Sequence, residues 1–232
     1  MPVPRAPVVV SIGGSVLVTG EGDGPYFDRL AERLRRLGRA FPLAVTTGGG
    51  RTAREYIRLG RALGLTEFEL DEIGIDVTRL HARILAARIG PPAPHRPPTT
   101  IADAVHEIHR GSPVVLGGTE PGHTTDGVAA LLAVRLRAAR VVNATNVAGI
   151  FTEDPRSHPR ARRIERMSWA EFRGMVHRES SGAAGQEFLF DRTGAEALAR
   201  ARIPLAVVSG RDLDNLERAI RGRPFDGSRV EP

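Results

Sequence analysis

Between an apolar run ending at Leu116 and another beginning at Val128 lies Gly117-Gly118-Thr119-Glu120-Pro121-Gly122-His123-Thr124-Thr125-Asp126-Gly127. It gathers a glycine pair, two adjacent hydroxyls and a carboxylate at a strand-to-helix junction. Glycine lets backbone N–H groups approach a phosphate without an intervening Cβ, and the following helix presents its positive end. Thr124 or Thr125 also reads as the helix N-cap. Three other apolar runs stop in the same way. Val8–Val10 leads into Ser11-Ile12-Gly13-Gly14-Ser15, Leu43–Val45 into Thr46-Thr47-Gly48-Gly49-Gly50, and Leu205–Val208 into Ser209-Gly210. The chemistry these turns suit is the holding of phosphate groups. Yet all 33 basic residues are arginine, with no lysine. A P-loop is therefore excluded, and the first turn does not supply G-x-G-x-x-G. Arg54, one turn into the helix after Gly48–Gly50, is the natural cation, being fork-shaped and always charged.

These turns need a scaffold in which strands alternate with helices. Apolar residues at 3–4 spacing predict a helix over Tyr26–Arg39 (Phe27, Leu30, Leu34, Leu37) and another over Arg51–Leu63 (Ala53, Ile57, Gly60, Leu63). A third spans about Asp71–Ile89, with Ile73, Val77, Leu80 and Ile84 as its stripe and Asp71 as a candidate cap. The five prolines of Gly90–Thr100 mark a surface loop. Further helices are expected at Ile101–His109, Asp126–Ala139, Trp169–Val176 (capped by Ser168), Asp191–Arg202 and Leu213–Arg221, with a strand starting at Val141. Such alternation implies a largely parallel sheet covered on both faces. Its ligands bind beyond the carboxyl ends of the strands, where all four turns fall.

Composition narrows the function classes. A chain of 232 residues, 41% apolar and 26% charged, is expected to form one domain, or one domain with two lobes. No apolar stretch approaches 18 residues, so no membrane partner is expected. The start lacks an apolar signal core, which predicts a cytoplasmic protein. Zero cysteine excludes disulfides and thiolate chemistry. The net charge of +6 is carried by arginines at helix-face spacings without aromatic interleaving, so no nucleic-acid partner is expected. His106 and His109 read as an exposed helix face rather than a metal pair, His81 as a packed helix residue, and Trp169 as a core cover or subunit contact. No protein metal-ligand set is expected.

The stretches VVVSIGGSVL, TTGGGRTAREYI, ELDEIGIDVTRLHARIL, GGTEPGHTTDGVAALLA, NATNVAGIFTEDPRSHPRA and DGSRVEP occur in this order over nearly the whole chain. Together they resemble the archaeal-type uridylate kinases of the amino-acid-kinase superfamily. The resemblance implies an α/β fold, a three-layer αβα sandwich with a central, mainly parallel sheet. It implies ATP-dependent phosphorylation of UMP to UDP in pyrimidine nucleotide synthesis, with ATP and Mg²⁺ as cofactors. An acceptor lobe would occupy about residues 1–140 and an ATP lobe about 141–232. A homohexamer built from dimers is implied, with Leu30–Leu37 as a candidate contact face.

Residue roles follow from the same resemblance. Ser11, Gly13, Gly14 and Ser15 would contact the ATP phosphates. Gly48 would approach UMP, with Gly49 and Arg54 near the transferring phosphates. Asp71 would hold the ribose or uracil side, and Thr119, Glu120, Pro121, Gly122, His123, Thr124 and Thr125 would wrap the UMP phosphate and base. Thr145, Asn146, Phe151 and Asp154 would form the adenosine side. Asp126 would be the organising carboxylate, and Asp191 a second candidate for the ATP lobe. Two departures stand out: Ser11 where many members carry lysine, and Ala148 where aspartate is common. Arg54, Mg²⁺ and the turn amides are expected to supply the missing charge. A kinase for another small phosphate acceptor, or a non-catalytic nucleotide-binding sensor or assembly protein, remain the alternative readings.

Overall fold

Short β-branched runs such as Val8-Val9-Val10 and Val114-Val115 cannot pack as helix stripes and are apolar on both faces, which is the pattern of strands buried inside a parallel sheet. In a computed structural model, which describes residues 6–20, 23–179 and 190–232, they form its centre. The elements are β1 (Val8–Ile12), α1 (Gly14–Leu17), α2 (Gly24–Gly38), β2 (Leu43–Thr47), α3 (Gly50–Ala62), α4 (Glu67–Ile89), α5 (Ile101–His109), β3 (Val114–Leu116) and α6 (Thr125–Leu136). There follow β4 (Arg140–Thr145), β5 (Ile150–Phe151), β6 (Arg163–Ile164), β7 (Arg166–Ser168), α7 (Trp169–Glu179), α8 (Arg192–Ala201), β8 (Leu205–Ser209), α9 (Leu213–Arg221) and β9 (Ser228–Glu231). Seven strands make one sheet in the order β3-β2-β1-β4-β8-β9-β7, and β5 pairs with β6 as a separate ribbon. All pairings in the large sheet are parallel except β8 with β9.

The two-residue period of a strand divides the core. Val8, Val10 and Ile12 face one apolar cluster, shared with α2, the C-terminal half of α4, and α9. Val9 faces the other, shared with α5, α6, α7 and α8. The expected αβα sandwich is therefore present. Trp169 closes the second cluster, edge-on to Phe172 at 5.7 Å. His106 and His109 lie exposed on α5.

Several local expectations shift. Helix α4 starts four residues before Asp71, because Thr66 and Glu69 form a reciprocal capping box. Asp71 is thus inside the helix and is not its cap. The buried face of α4 runs through Leu70, Val77, His81, Ala82 and Leu85, while Leu80 is 54% and Ile84 46% exposed. On α3, Ala53 and Gly60 are buried but Leu63 is 72% exposed. Conversely Leu30, Leu34 and Leu37 are fully buried in the first cluster, so the proposed contact face on α2 is core. Strands β7 and β9 were not expected from periodicity. Both are short; β7 is the edge strand, and β9 lies between it and β8.

Candidate active site

Parallel pairing puts the carboxyl ends of β1, β2, β4 and β8 side by side, and a cavity of about 350 Å³ opens there. Gly13, Gly14 and Ser15 line it from the first turn, Gly48, Gly49, Gly50 and Arg54 from the second, and Thr125 and Asp126 from the start of α6. Thr145, Asn146, Phe151 and Asp154 complete the far wall. Ile150 is buried in the core while its neighbour Phe151 lines the cavity, as strand alternation requires. Asp154 accepts from Arg156 Nε and Nη2 and from the Arg156 backbone N–H, which hold its carboxyl below the usual carboxylate range.

A second cavity, of about 410 Å³, lies beside the first and is lined by Asp71, Pro121, Gly122, His123, Thr124 and Thr125, with α4 contributing Gly74, Ile75 and Thr78. Gly49, Gly50, Arg54 and Thr125 belong to both walls. The loop before α6 is tied to α4: Asp71 accepts from Gly122 N–H at 3.0 Å, and Arg79 donates to the carbonyls of Gly118 and Thr119 at 3.1 and 2.9 Å. Thr119 and Glu120 do not line this cavity. Thr119 faces an adjoining hollow, its Oγ1 buried with no partner among the described residues, and exposed Glu120 faces His123 at 3.6 Å.

Asp126 shows how the sheet builds the site. Ser11 on β1 is in register with Thr46 on β2 and Asn143 on β4, and all three point to the α6 side. Ser11 Oγ donates to Asp126 Oδ1 at 2.6 Å, and Asn143 bonds the same carboxyl. Burial, helped by repulsion from Asp191, pushes Asp126 up to about 6, against the pull of these two hydrogen bonds. Ser11 is 1% exposed and its hydroxyl is committed to Asp126. It therefore does not reach the cavity wall as the phosphate contact expected of it. Asp191 caps α8 and accepts from Thr124 Oγ1 at 3.0 Å, which ties the start of α8 to the N-cap of α6.

The first two glycine turns also rest on each other. A Cβ on Gly14 would overlap the Gly50 amide nitrogen and lie 2.6 Å from the Gly48 carbonyl. Gly50 has φ +58°, a conformation glycine adopts without strain. His81 fixes this contact from below: 3% exposed, it donates from Nδ1 to the Gly48 carbonyl at 2.8 Å. Spacing did not reveal His81, Asn143 or Arg79 as site residues. The signal available was a polar group in an otherwise apolar strand or helix face.

A doubly covered, mainly parallel sheet with paired cavities at its strand ends is an α/β architecture that binds its ligands beyond the carboxyl ends of the strands. The model of the amino acid kinase family matches residues 6–209, and the chain belongs to that family. It is 42% identical to a uridylate kinase of Methanothrix thermoacetophila over 96% of this chain and 98% of that one. Another, from Thermoplasma acidophilum, is 40% identical over 93% and 92%. The crystal structure of the Archaeoglobus fulgidus uridylate kinase superposes with a TM-score of 0.85 at 34% identity, covering 96% and 99% of the two chains. The UMP kinase of Bacillus anthracis, at 19% identity and TM-score 0.78, shares the fold.

Proposed function

We infer that this chain is a uridylate kinase. In the reaction a UMP phosphate oxygen attacks the γ-phosphorus of ATP, the bond to the bridging oxygen breaks, and UDP and ADP leave. The observation that carries the reading is the wall common to both cavities, with Arg54 and the Gly49–Gly50 amides between donor and acceptor sides. The relatives named uridylate kinase support the choice of UMP. ATP would occupy the Phe151 side and UMP the Asp71–Thr125 side, so residues up to about 140 form an acceptor lobe and those after it an ATP lobe.

UMP presents its own nucleophilic oxygen, so the protein's task is alignment and charge stabilisation. Gly13–Ser15 and Gly48–Gly50 offer backbone amides to phosphate oxygens, and Arg54 stabilises charge on the transferring group. Mg²⁺ suits a site whose carboxyl is held in place by Ser11 and Asn143. It would take ATP oxygens, water and Asp126 as ligands and supply charge neutralisation. Replacing Arg54 with Ala is expected to lower kcat/KM at least tenfold, about 1.4 kcal/mol, in a steady-state assay; a smaller loss removes Arg54 from this role.

Pyrimidine nucleotide synthesis in the cytoplasm is the setting that fits this reaction; among the described residues no helix is long and apolar enough to cross a membrane. A homo-oligomer, a hexamer by resemblance, is supported by exposed Tyr56, Leu59 and Leu63 on α3 and Leu80 and Ile84 on α4. The test of function is ADP release with Mg-ATP against UMP, CMP, dUMP, AMP and isopentenyl phosphate. Turnover led by UMP is expected. Another preferred acceptor, or binding of ATP and UMP without turnover, overturns it.

A further inference from the structure

At the opposite end of the sheet, where β4 and β8 begin, a separate cavity of about 170 Å³ lies between these strands, the end of α9 and β9. Three guanidinium groups line it: Arg140, Arg223 and Arg229. Arg140 is partly buried against Gly222 and donates to the Ile220 carbonyl at 2.9 Å, at the negative end of α9. Arg229 lies over the Phe225 ring at 4.5 Å. Among the described residues none of the three has an ion-pair partner within 4 Å, whereas Arg33, Arg36, Arg88 and Arg163 all do. Burial also pulls Arg140 below its ordinary value. Among the described residues Glu231 is the one carboxylate on the wall, so this lining leaves an excess of positive charge.

A partly buried cation without a counter-ion is unfavourable unless a ligand supplies one. We propose that this cavity is a binding site for a small phosphate-bearing molecule, its dianionic group held by Arg140, Arg223 and Arg229. Leu205, Ala219 and Phe225 give an apolar floor for a short organic body. At half the volume of the ATP-side cavity, it suits a fragment of nucleotide size or less. The site is independent of the reading of the strand-end cavities.

The experiment is calorimetric titration of pyrophosphate into the full chain with both strand-end cavities saturated by UMP and a non-hydrolysable ATP analogue. Arg140→Met would also remove a helix cap, so the informative variants are R223Q and R229Q, with Arg54→Ala as the report on the strand-end cavities. Wild type and Arg54→Ala are expected to bind alike, and R223Q and R229Q at least tenfold more weakly. Absence of binding, binding unaffected by R223Q and R229Q, or binding lost only in Arg54→Ala overturns the proposal.

Discussion

Replacing Asp126 with Asn is expected to make the ligand-free protein more stable at pH 8 while lowering kcat about a hundredfold or more. The activity loss follows from removing a fixed charge from a preorganised electrostatic site, an effect of about 10²–10³ where it has been measured in enzymes. The stability gain follows from the carboxyl's position. Its folded-state value of about 6 lies above the 3.8 of an ordinary aspartate, so the folded chain binds this proton more tightly than the unfolded one. The folded state is therefore penalised as pH rises from about 4 to 6, and the full cost, about 3 kcal/mol at most, is present above 6. Asn keeps the Ser11 acceptor, and Asn143 can turn its amide to match, so little else is lost. Thermal unfolding should rise by about 2–4 °C per kcal/mol recovered at pH 8, with the difference vanishing near pH 4. A difference independent of pH would rule out this titration. In the wild type, kcat/KM should fall as pH drops below about 6, where the carboxyl gains its proton.

Gly14→Ala is expected to destabilise the chain by about 3 kcal/mol and to weaken ATP use. The added methyl would meet backbone, the Gly48 carbonyl and the Gly50 amide, rather than the yielding end of a side chain. Relief requires the turns after β1 and β2 to move apart, which displaces amides on both cavities. Gly24→Ala is the control: among the described residues nothing lies within 4 Å of its added Cβ, and α2 should tolerate it. Equal melting temperatures for the two variants would show that the turns part without cost.

The strand ends, the alternation and the order of the glycine turns are readable because they depend on local spacing. The partners of Asp126 are not, since Ser11 is 115 residues away in sequence and reaches it only through sheet register. Nothing local distinguishes a serine that touches phosphate from one that braces a carboxylate. The capping box at Thr66-Glu67-Phe68-Glu69 was legible, and it shows that Asp71 is free of capping duty and available to accept from Gly122 N–H. The stripes on α3 and α4 were misphased because both helices carry apolar residues on two faces, one packed within this chain and one exposed. Periodicity detects apolar residues without saying which face meets the core.

The row formed by Thr46, Ser11 and Asn143 makes the acidity of Asp126 a gauge of strand alignment. A slip of β1 by one residue would present Val10 or Ile12 to α6 in place of Ser11 and withdraw a hydrogen bond from the carboxyl. Its proton affinity would then climb further while overall helix content stayed nearly the same. The titration of a single carboxyl, followed by carbon NMR, thus distinguishes a correctly threaded sheet from a compact but misaligned one, a difference that far-ultraviolet dichroism would miss.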